Sequence, residues 1–267
     1  MKVECDRWRP LAAPGVTKNV LISVNANGSL QHWHTTSGKL LHTIHDELNQ
    51  LLTVDYKPDG TQFATGGSDC IVRVYDEQTR KLKVVLEGGG TGEPGHSNRV
   101  FALKFDKDDE NMLLSGGWDN NVKIWDLRTG AAVRSIYGPY ICGDALDIHD
   151  GYVLTGSWRG DKQLQMWDVG TSELVDDLSW NKELPSTNPC QLYCAQFLKT
   201  EGDLIVAGGS GYNEVKVFDG NNNFWPCAQI RDLSRACFTV DFSNQGDMFA
   251  MGGGDGVVRV FNIINSQ

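Results

Sequence analysis

With 267 residues, 24 Lys and Arg against 34 Asp and Glu, and a formal charge of −10, the chain carries a surface that repels phosphate backbones, which argues against nucleic acid as a partner. No window approaches the ~20 consecutive apolar residues needed to cross a bilayer. The opening MKVECDRWRP has no apolar leader run, so no membrane association is expected. Thirty glycines, eight prolines and eight tryptophans point to short strands and tight turns rather than a helical bundle.

In chain order, the first strands are predicted over 3–10 (VECDRWRP), 20–25 (VLISVN), 29–34 (SLQHWH) and 39–44 (KLLHTI). A second set follows, in which Pro58-Asp59-Gly60 suits a tight reversal, because Pro presets the first central φ and Gly accepts a positive one. The only short basic stretch, Arg80-Lys81-Leu82-Lys83, belongs to this set. The third set is the clearest: RVFALKF (99–105), a strand ending in Gly116-Gly117, NVKIWD (121–126) and AAVRSI (131–136). Two more sets and a shorter last one, ending in VVRVFNI (257–263), complete the chain.

An aromatic closes the third strand of each set, at Trp33, Tyr75, Trp125, Trp167, Phe218 and Phe261, spaced 42 to 51 residues apart. The two long spacings hold insertions, GGGTGEPG (88–95) and NKELPSTNPC (181–190). The first is read as a flexible loop, since no Lys-Ser/Thr follows to make a phosphate cradle. Gly66-Gly67, Gly116-Gly117, Gly208-Gly209 and Gly252-Gly253 close four second strands, which marks a crowded backbone or an unusual φ.

Within the third strands Val72/Val74, Val122/Ile124, Val215/Val217 and Val258/Val260 share one face, opposite Arg73, Lys123, Lys216 and Arg259. Sheets that are apolar on both faces must bury one another, and four-stranded meanders repeated at this period stack radially. The expectation is an all-β propeller of six blades in one domain over 1–267. The blades fall at approximately 1–45, 46–87, 96–137, 138–179, 190–231 and 232–267, the last lacking its outer strand. An unpaired edge on 257–263 is an aggregation liability. The natural domain is therefore expected to extend upstream by a closing strand and a further blade, the alternative being a six-bladed ring with a three-stranded last blade.

Trp125-Asp126 and Trp167-Asp168 are the dipeptides of the WD-repeat family, and Gly95-His96 resembles the pair that opens its repeat. Tyr75-Asp76 and Phe218-Asp219 resemble conservative versions, whereas Trp33-His34 and Phe261-Asn262 keep only the aromatic. The resemblance implies a buried hydrogen-bond chain of His, Ser/Thr, Asp and Trp. His96, Ser115, Asp119 and Trp125 match it in the third repeat; His45, Thr65, Asp69 and Tyr75 are offered by the second. The fourth keeps Thr155 and Trp167. Ala207 and Met251 stand where the fifth and sixth need a hydroxyl, so their chains are expected to be broken.

Catalytic patterns are absent: no G-x-S-x-G, H-E-x-x-H, C-x-x-C or G-x-x-x-x-G-K-[ST] occurs. His32 and His34 share a strand face but have no evident carboxylate or Cys to complete a metal site, and a packed or surface pair is expected. Seven cysteines, an odd number, fit reduced thiols in the cytoplasm or the nucleus. Cys190 and Cys194 lack the four ligands of a structural zinc site and read as small buried apolar groups. No catalytic residue, metal or cofactor is expected.

Family partners usually dock on the loops between second and third strands and between blades. By that resemblance Trp118 and Trp158 would form an exposed hot-spot pair, with Arg159 and Arg99 adding cationic reach and Tyr212 on the matching fifth loop. The alternative is that both indoles lid the turns beneath them. Phe101, Tyr193 and Phe238 share a first-strand phase with Leu52, which places them at a channel mouth or between blades. Trp125-Asp126-Leu127-Arg128 also fits W-D-x-R, which in some family members resembles the site engaging the adaptor of cullin-4 ubiquitin ligases, through Asp126 and Arg128. The resulting reading is a non-enzymatic scaffold in a multiprotein complex, binding other proteins or peptides, basic segments among them. A substrate receptor of a cullin-4-type ligase is the alternative.

Overall fold

The computed structural model describes residues 3–13, 17–88, 93–178, 180 and 189–264. Two compact units divide the chain at Met1–Gly138 and Pro139–Gln267. The insertion residues 89–92 and 181–188 lie outside the described residues, as does Met1. At the described ends of the first insertion Gly88 bridges Pro94, and Glu93 bridges Ala132.

In the first unit three antiparallel four-stranded sheets follow in chain order. The first holds β1 (Val3–Trp8), β2 (Val20–Asn25), β3 (Ser29–His34) and β4 (Lys39–His45). The second holds β5 (Leu51–Tyr56), β6 (Gln62–Gly67), β7 (Val72–Asp76) and β8 (Leu82–Leu86). The third holds β9 (Val100–Phe105), β10 (Met112–Gly117), β11 (Asn121–Asp126) and β12 (Ala131–Tyr137). The second unit repeats the plan with β13 (Leu146–His149), β14 (Tyr152–Gly156), β15 (Leu164–Asp168) and β16 (Leu174–Asp177). Its next sheet is β17 (Gln191–Phe197), β18 (Leu204–Ser210), β19 (Val215–Asp219) and β20 (Trp225–Ile230). The last sheet has three strands among the described residues, β21 (Cys237–Phe242), β22 (Met248–Gly253) and β23 (Val258–Asn262). Each meander is one blade, so the chain is all-β with six blades, the last of three strands among the described residues.

Two irregularities recur with the repeat. A bulge interrupts the ladder between third and fourth strands just before the closing aromatic, at His32/Trp33, Val74/Tyr75, Ile124/Trp125, Met166/Trp167 and Val217/Phe218. An inserted residue re-aims the side chain that follows it. The second irregularity faces the glycine pairs: first and second strands slip register opposite Gly67, Gly117, Gly209 and Gly253. A Cβ at Gly117 would sit 2.1 Å from the Arg99 carbonyl oxygen, and one at Gly209 would sit 1.9 Å from that of Gln191. The close backbone approach thus accounts for the paired glycines.

Burial runs from blade to blade within each unit. Ile22, Val24 and Leu30 of the first blade pack with Leu51, Val54 and Tyr56 of the second. Val72, Val74 and Leu86 then pack with Val100, Leu103 and Phe105 of the third. In the second unit Leu154, Leu164 and Met166 meet Leu192, Ala195 and Phe197, and Cys194, Val206 and Val215 meet Cys237, Val240 and Met251. Two carboxylates add directional links between blades. Asp55 Oδ2 accepts the Phe105 N–H at 2.8 Å, and Asp147 Oδ2 accepts the Phe197 N–H at 2.9 Å. The last sheet differs: Val258 and Val260 are 74% and 62% exposed, whereas Val72, Val74, Val122 and Ile124 are fully buried.

Candidate interaction surface

The third blade shows how a loop is fixed before any partner arrives. Trp125 Nε1–H donates to Ser115 Oγ at 2.7 Å, and Ser115 Oγ lies 2.7 Å from His96 Nε2. His96 Nδ1 lies 2.8 Å from Asp119 Oδ2. With Asp119 ionised, the consistent assignment has Nδ1–H donating to the carboxylate and Ser115 O–H donating to Nε2. Burial pushes the Asp119 carboxyl up, but hydrogen bonds from His96 and from the Ser97 and Asn121 amides outweigh it and hold it below its usual range.

The other blades vary this chain. Trp167 Nε1–H donates to Thr155 Oγ1 at 2.9 Å, and Trp33 Nε1–H donates to Ser23 Oγ at 3.1 Å. Ser23 sits ten residues before Trp33, the same interval as Ser115 to Trp125, so a residue-by-residue search for the hydroxyl would have found it. The second blade departs from expectation. His45 ends β4, paired across from Ser29 and exposed, and does not reach Thr65. It stands six residues before Leu51, whereas His96 stands four before Val100, the strand position that Leu51 occupies. Asn49 fixes this turn instead: its Oδ1 accepts from Ser68 Oγ at 3.2 Å and from the Asp69 amide at 3.3 Å, and its Nδ2 donates to Asp46. Asp69 pairs with Arg73 at 2.7 Å. Thr65 and Tyr75 are both buried.

A further buried cluster in the first unit has no counterpart in the sequence reading. Glu77 accepts from Arg9 at 3.1 Å, from the Tyr56 hydroxyl at 3.1 Å and from His32 Nε2 at 3.2 Å. Burial raises its carboxyl pKa, but these donors outweigh that and keep it low. His32 is thereby a packed core residue, while His34 lies against Ser37 Oγ at 2.7 Å. Among the described residues no three His, Cys, Asp or Glu side chains converge to hold a metal.

On the loops, each unit presents its own aromatic patch. In the first, the Trp118 ring stacks on Phe101 at 4.8 Å, and the Arg99 guanidinium lies 5.6 Å from the indole centroid. The Trp118 amide donates to the Arg99 carbonyl, which draws the loop back onto the first strand. In the second unit Trp158 is 37% exposed, its Nε1–H donating to Ser210 Oγ at 3.3 Å. Its ring centroid lies 6.4 Å from that of Tyr193, which meets Phe238 edge-on at 5.1 Å. Phe238 is 49% and Tyr212 52% exposed, and Arg159 lies 3.6 Å from Asp161. Trp158, Tyr193 and Phe238 come from three successive blades. Leu52 of β5 is half-buried.

Asp126 ends β11 and Arg128 lies in the exposed turn between β11 and β12. Arg128 Nε and Nη2 donate to the two Asp126 oxygens at 3.0 and 2.8 Å. The guanidinium hydrogen bonds lower the Asp126 pKa and raise that of Arg128, and the intervening Leu127 packs on the core.

A family model described as WD domain, G-beta repeat matches residues 38–76, 91–126 and 228–262. These segments are WD repeats. Among curated relatives, Autophagy-related protein 16 of Arabidopsis thaliana is 22% identical, over 88% of this chain and 43% of its own length. The ribosome biogenesis protein WDR12 homolog of Drosophila pseudoobscura pseudoobscura is 28% identical, over 78% of this chain and 50% of its own. The APC/C activator protein CDC20 of Saccharomyces cerevisiae is 21% identical, over 100% of this chain and 52% of its own. The chain spans about half the length of these relatives. Their names belong to three different processes.

Proposed function

We propose that this WD-repeat chain is a non-enzymatic interaction scaffold, and that Trp158, Tyr193 and Phe238 form its principal docking row in the second unit. The observation that carries this reading is the ring-to-ring contact of three partly exposed aromatics from three consecutive blades. Large aromatics held in place before binding are the side chains that dominate measured interface energetics, because little ordering entropy remains to be lost. Arg159 and Tyr212 lie on the loops of the same unit, and the Trp118–Phe101–Arg99 stack is a second patch in the first unit. The partner chemistry that fits is a protein segment with an apolar anchor flanked by basic residues, since the net charge of −10 favours cationic approach.

The test is a displayed-peptide selection on the full chain, followed by affinity measurement against Trp158→Ala, Phe238→Ser and the double variant. Selected peptides should combine Lys or Arg with an apolar anchor and weaken at least about tenfold on the double variant, with the thermal midpoint unchanged. Equal affinity for wild type and double variant would overturn the reading. A large fall in the midpoint would show instead that the rings only lid their own turns. The second reading, in which the Asp126–Arg128 turn engages the adaptor of cullin-4 ligases, is supported only by the exposure of that turn.

A further inference from the structure

At three blade junctions a second-strand glycine leaves a gap into which side chains from neighbouring blades project. A Cβ on Gly66 would meet Val100 and Thr53, and one on Gly156 would meet Ala145 and Leu192. The equivalent glycine of the fifth blade is Gly208, where an added Cβ would meet Cys237 Sγ at 3.1 Å and its Cβ at 3.2 Å. Cys194 pairs with Gly208 in the ladder, as Thr53 pairs with Gly66. The position filled elsewhere by apolar or hydroxyl groups therefore holds two sulfurs, 3.9 Å apart, one on β17 and one on β21.

We propose that Cys194 and Cys237 are an oxidation-sensitive pair, which a hydroperoxide converts to a disulfide joining the fifth blade to the sixth. Both thiols are fully buried and free in the reduced protein. Cys194 Sγ lies 3.4 Å from the Gly208 carbonyl oxygen, and Cys237 Sγ lies 3.4 Å from that of Thr239 and 3.6 Å from that of Gly252. Closing from 3.9 Å to the ~2.05 Å of a disulfide needs about 1 Å of movement from each sulfur, within reach of side-chain rotation beside a glycine. Burial raises the Cys194 thiol well above its usual range, whereas hydrogen bonding with Cys194 lowers the Cys237 thiol below its own. Cys237, which neighbours the exposed Phe238 on β21, is assigned as the nucleophile and Cys194 as the resolving thiol.

The chemistry balances with one hydroperoxide. The Cys237 thiolate attacks a peroxide oxygen, the O–O bond breaks, and with hydrogen peroxide one water leaves as Cys237 becomes a sulfenic acid. Cys194 then attacks that sulfur and displaces a second water. Two thiols lose two electrons and two protons in all, and one peroxide is reduced to two waters. Access comes by local opening at β21, where Phe238 beside Cys237 is exposed. Tyr193 precedes Cys194 and Phe238 follows Cys237, so the bridge would tie together the two strand positions that carry the Tyr193–Phe238 ring pair. That last consequence rests on the docking reading; the bridge itself does not.

The experiment treats the purified full chain with hydrogen peroxide, alkylates it after denaturation, and maps its peptides without reduction. A peptide linked through Cys194 and Cys237 is expected, lost on adding dithiothreitol. The thermal midpoint should rise by about 5 °C or more in the oxidised form, and neither Cys194→Ala nor Cys237→Ala should show link or rise. Recovery of both residues as alkylated thiols, their oxidation to sulfinic acids without a link, or a link from Cys237 to Cys190 would each overturn the pairing. Peptide affinity measured on the oxidised and reduced chains reads the docking consequence separately.

Discussion

The third and fifth blades solve one problem in opposite ways. Each must hold a bulky aromatic behind a bulge at the end of its third strand. In the third, Trp125 is tied through Ser115 and His96 to Asp119. In the fifth, Phe218 has no polar atom and shares a buried cluster with Ala207, which stands where the third blade has Ser115; Trp180 packs against Phe218 at 5.7 Å. The sixth goes further, stacking Phe261 on Phe249 at 4.9 Å with Met251 nearby. A polar chain specifies one geometry because each unmet partner is costly, whereas an apolar plug tolerates rearrangement. The better-fixed loop is thereby the one above the hydrogen-bond chain.

Variants that break this contrast fall in a clear order. Trp125→Ala removes a fully buried indole and should cost about 3–5 kcal/mol, read from urea unfolding midpoints. Ser115→Ala strands the indole N–H and the imidazole and should cost about 2–3 kcal/mol. The opposite change, Ala207→Ser, should also destabilise, by about 1–2 kcal/mol, because Phe218 offers the new hydroxyl nothing. A neutral Ser115→Ala would remove the distinction between the two blades.

Acid titration sharpens the same comparison. The Asp119 carboxyl is held below its unfolded value, so its contribution is complete above that value, near pH 4, and is lost as pH falls through the lower folded one. Wild type should therefore lose stability more steeply below pH 4 than Asp119→Asn, measured as unfolding midpoints at successive pH values. Parallel curves would show that Asp119 contributes nothing there. The smallest effect belongs to Arg128→Ala, which should leave the unfolding midpoint in place because its pair with Asp126 is exposed. If that variant and wild type capture the cullin-4 adaptor alike, the second reading falls.

Strand order, blade number and the short last blade were legible because the aromatic spacing and the glycine pairs repeat along the chain. The third blade's four-residue chain was legible only through the resemblance of His96, Ser115, Asp119 and Trp125 to the WD-repeat pattern. Glu77 was not, since Arg9, His32 and Tyr56 come from separate strands with no shared spacing. His45 misled because strand composition does not say where a ladder stops, and β4 runs to that residue. The aromatic row needed blade-to-blade contacts, as the identities of Trp158, Tyr193 and Phe238 alone do not tell a channel mouth from a blade interface.

The carboxylates of Asp55 and Asp147 have a practical bearing on how the molecule can be dissected. Each carries a negative charge whose acceptor lobe is satisfied by an amide of the following blade. A fragment cut just before β9 or just before β17 would leave that charge without its amide at a raw apolar surface, and such pieces should be poorly soluble. Severing the backbone after Gly138 separates neither carboxylate from its amide, which makes that position the rational site for split-protein or proteolytic-nicking work.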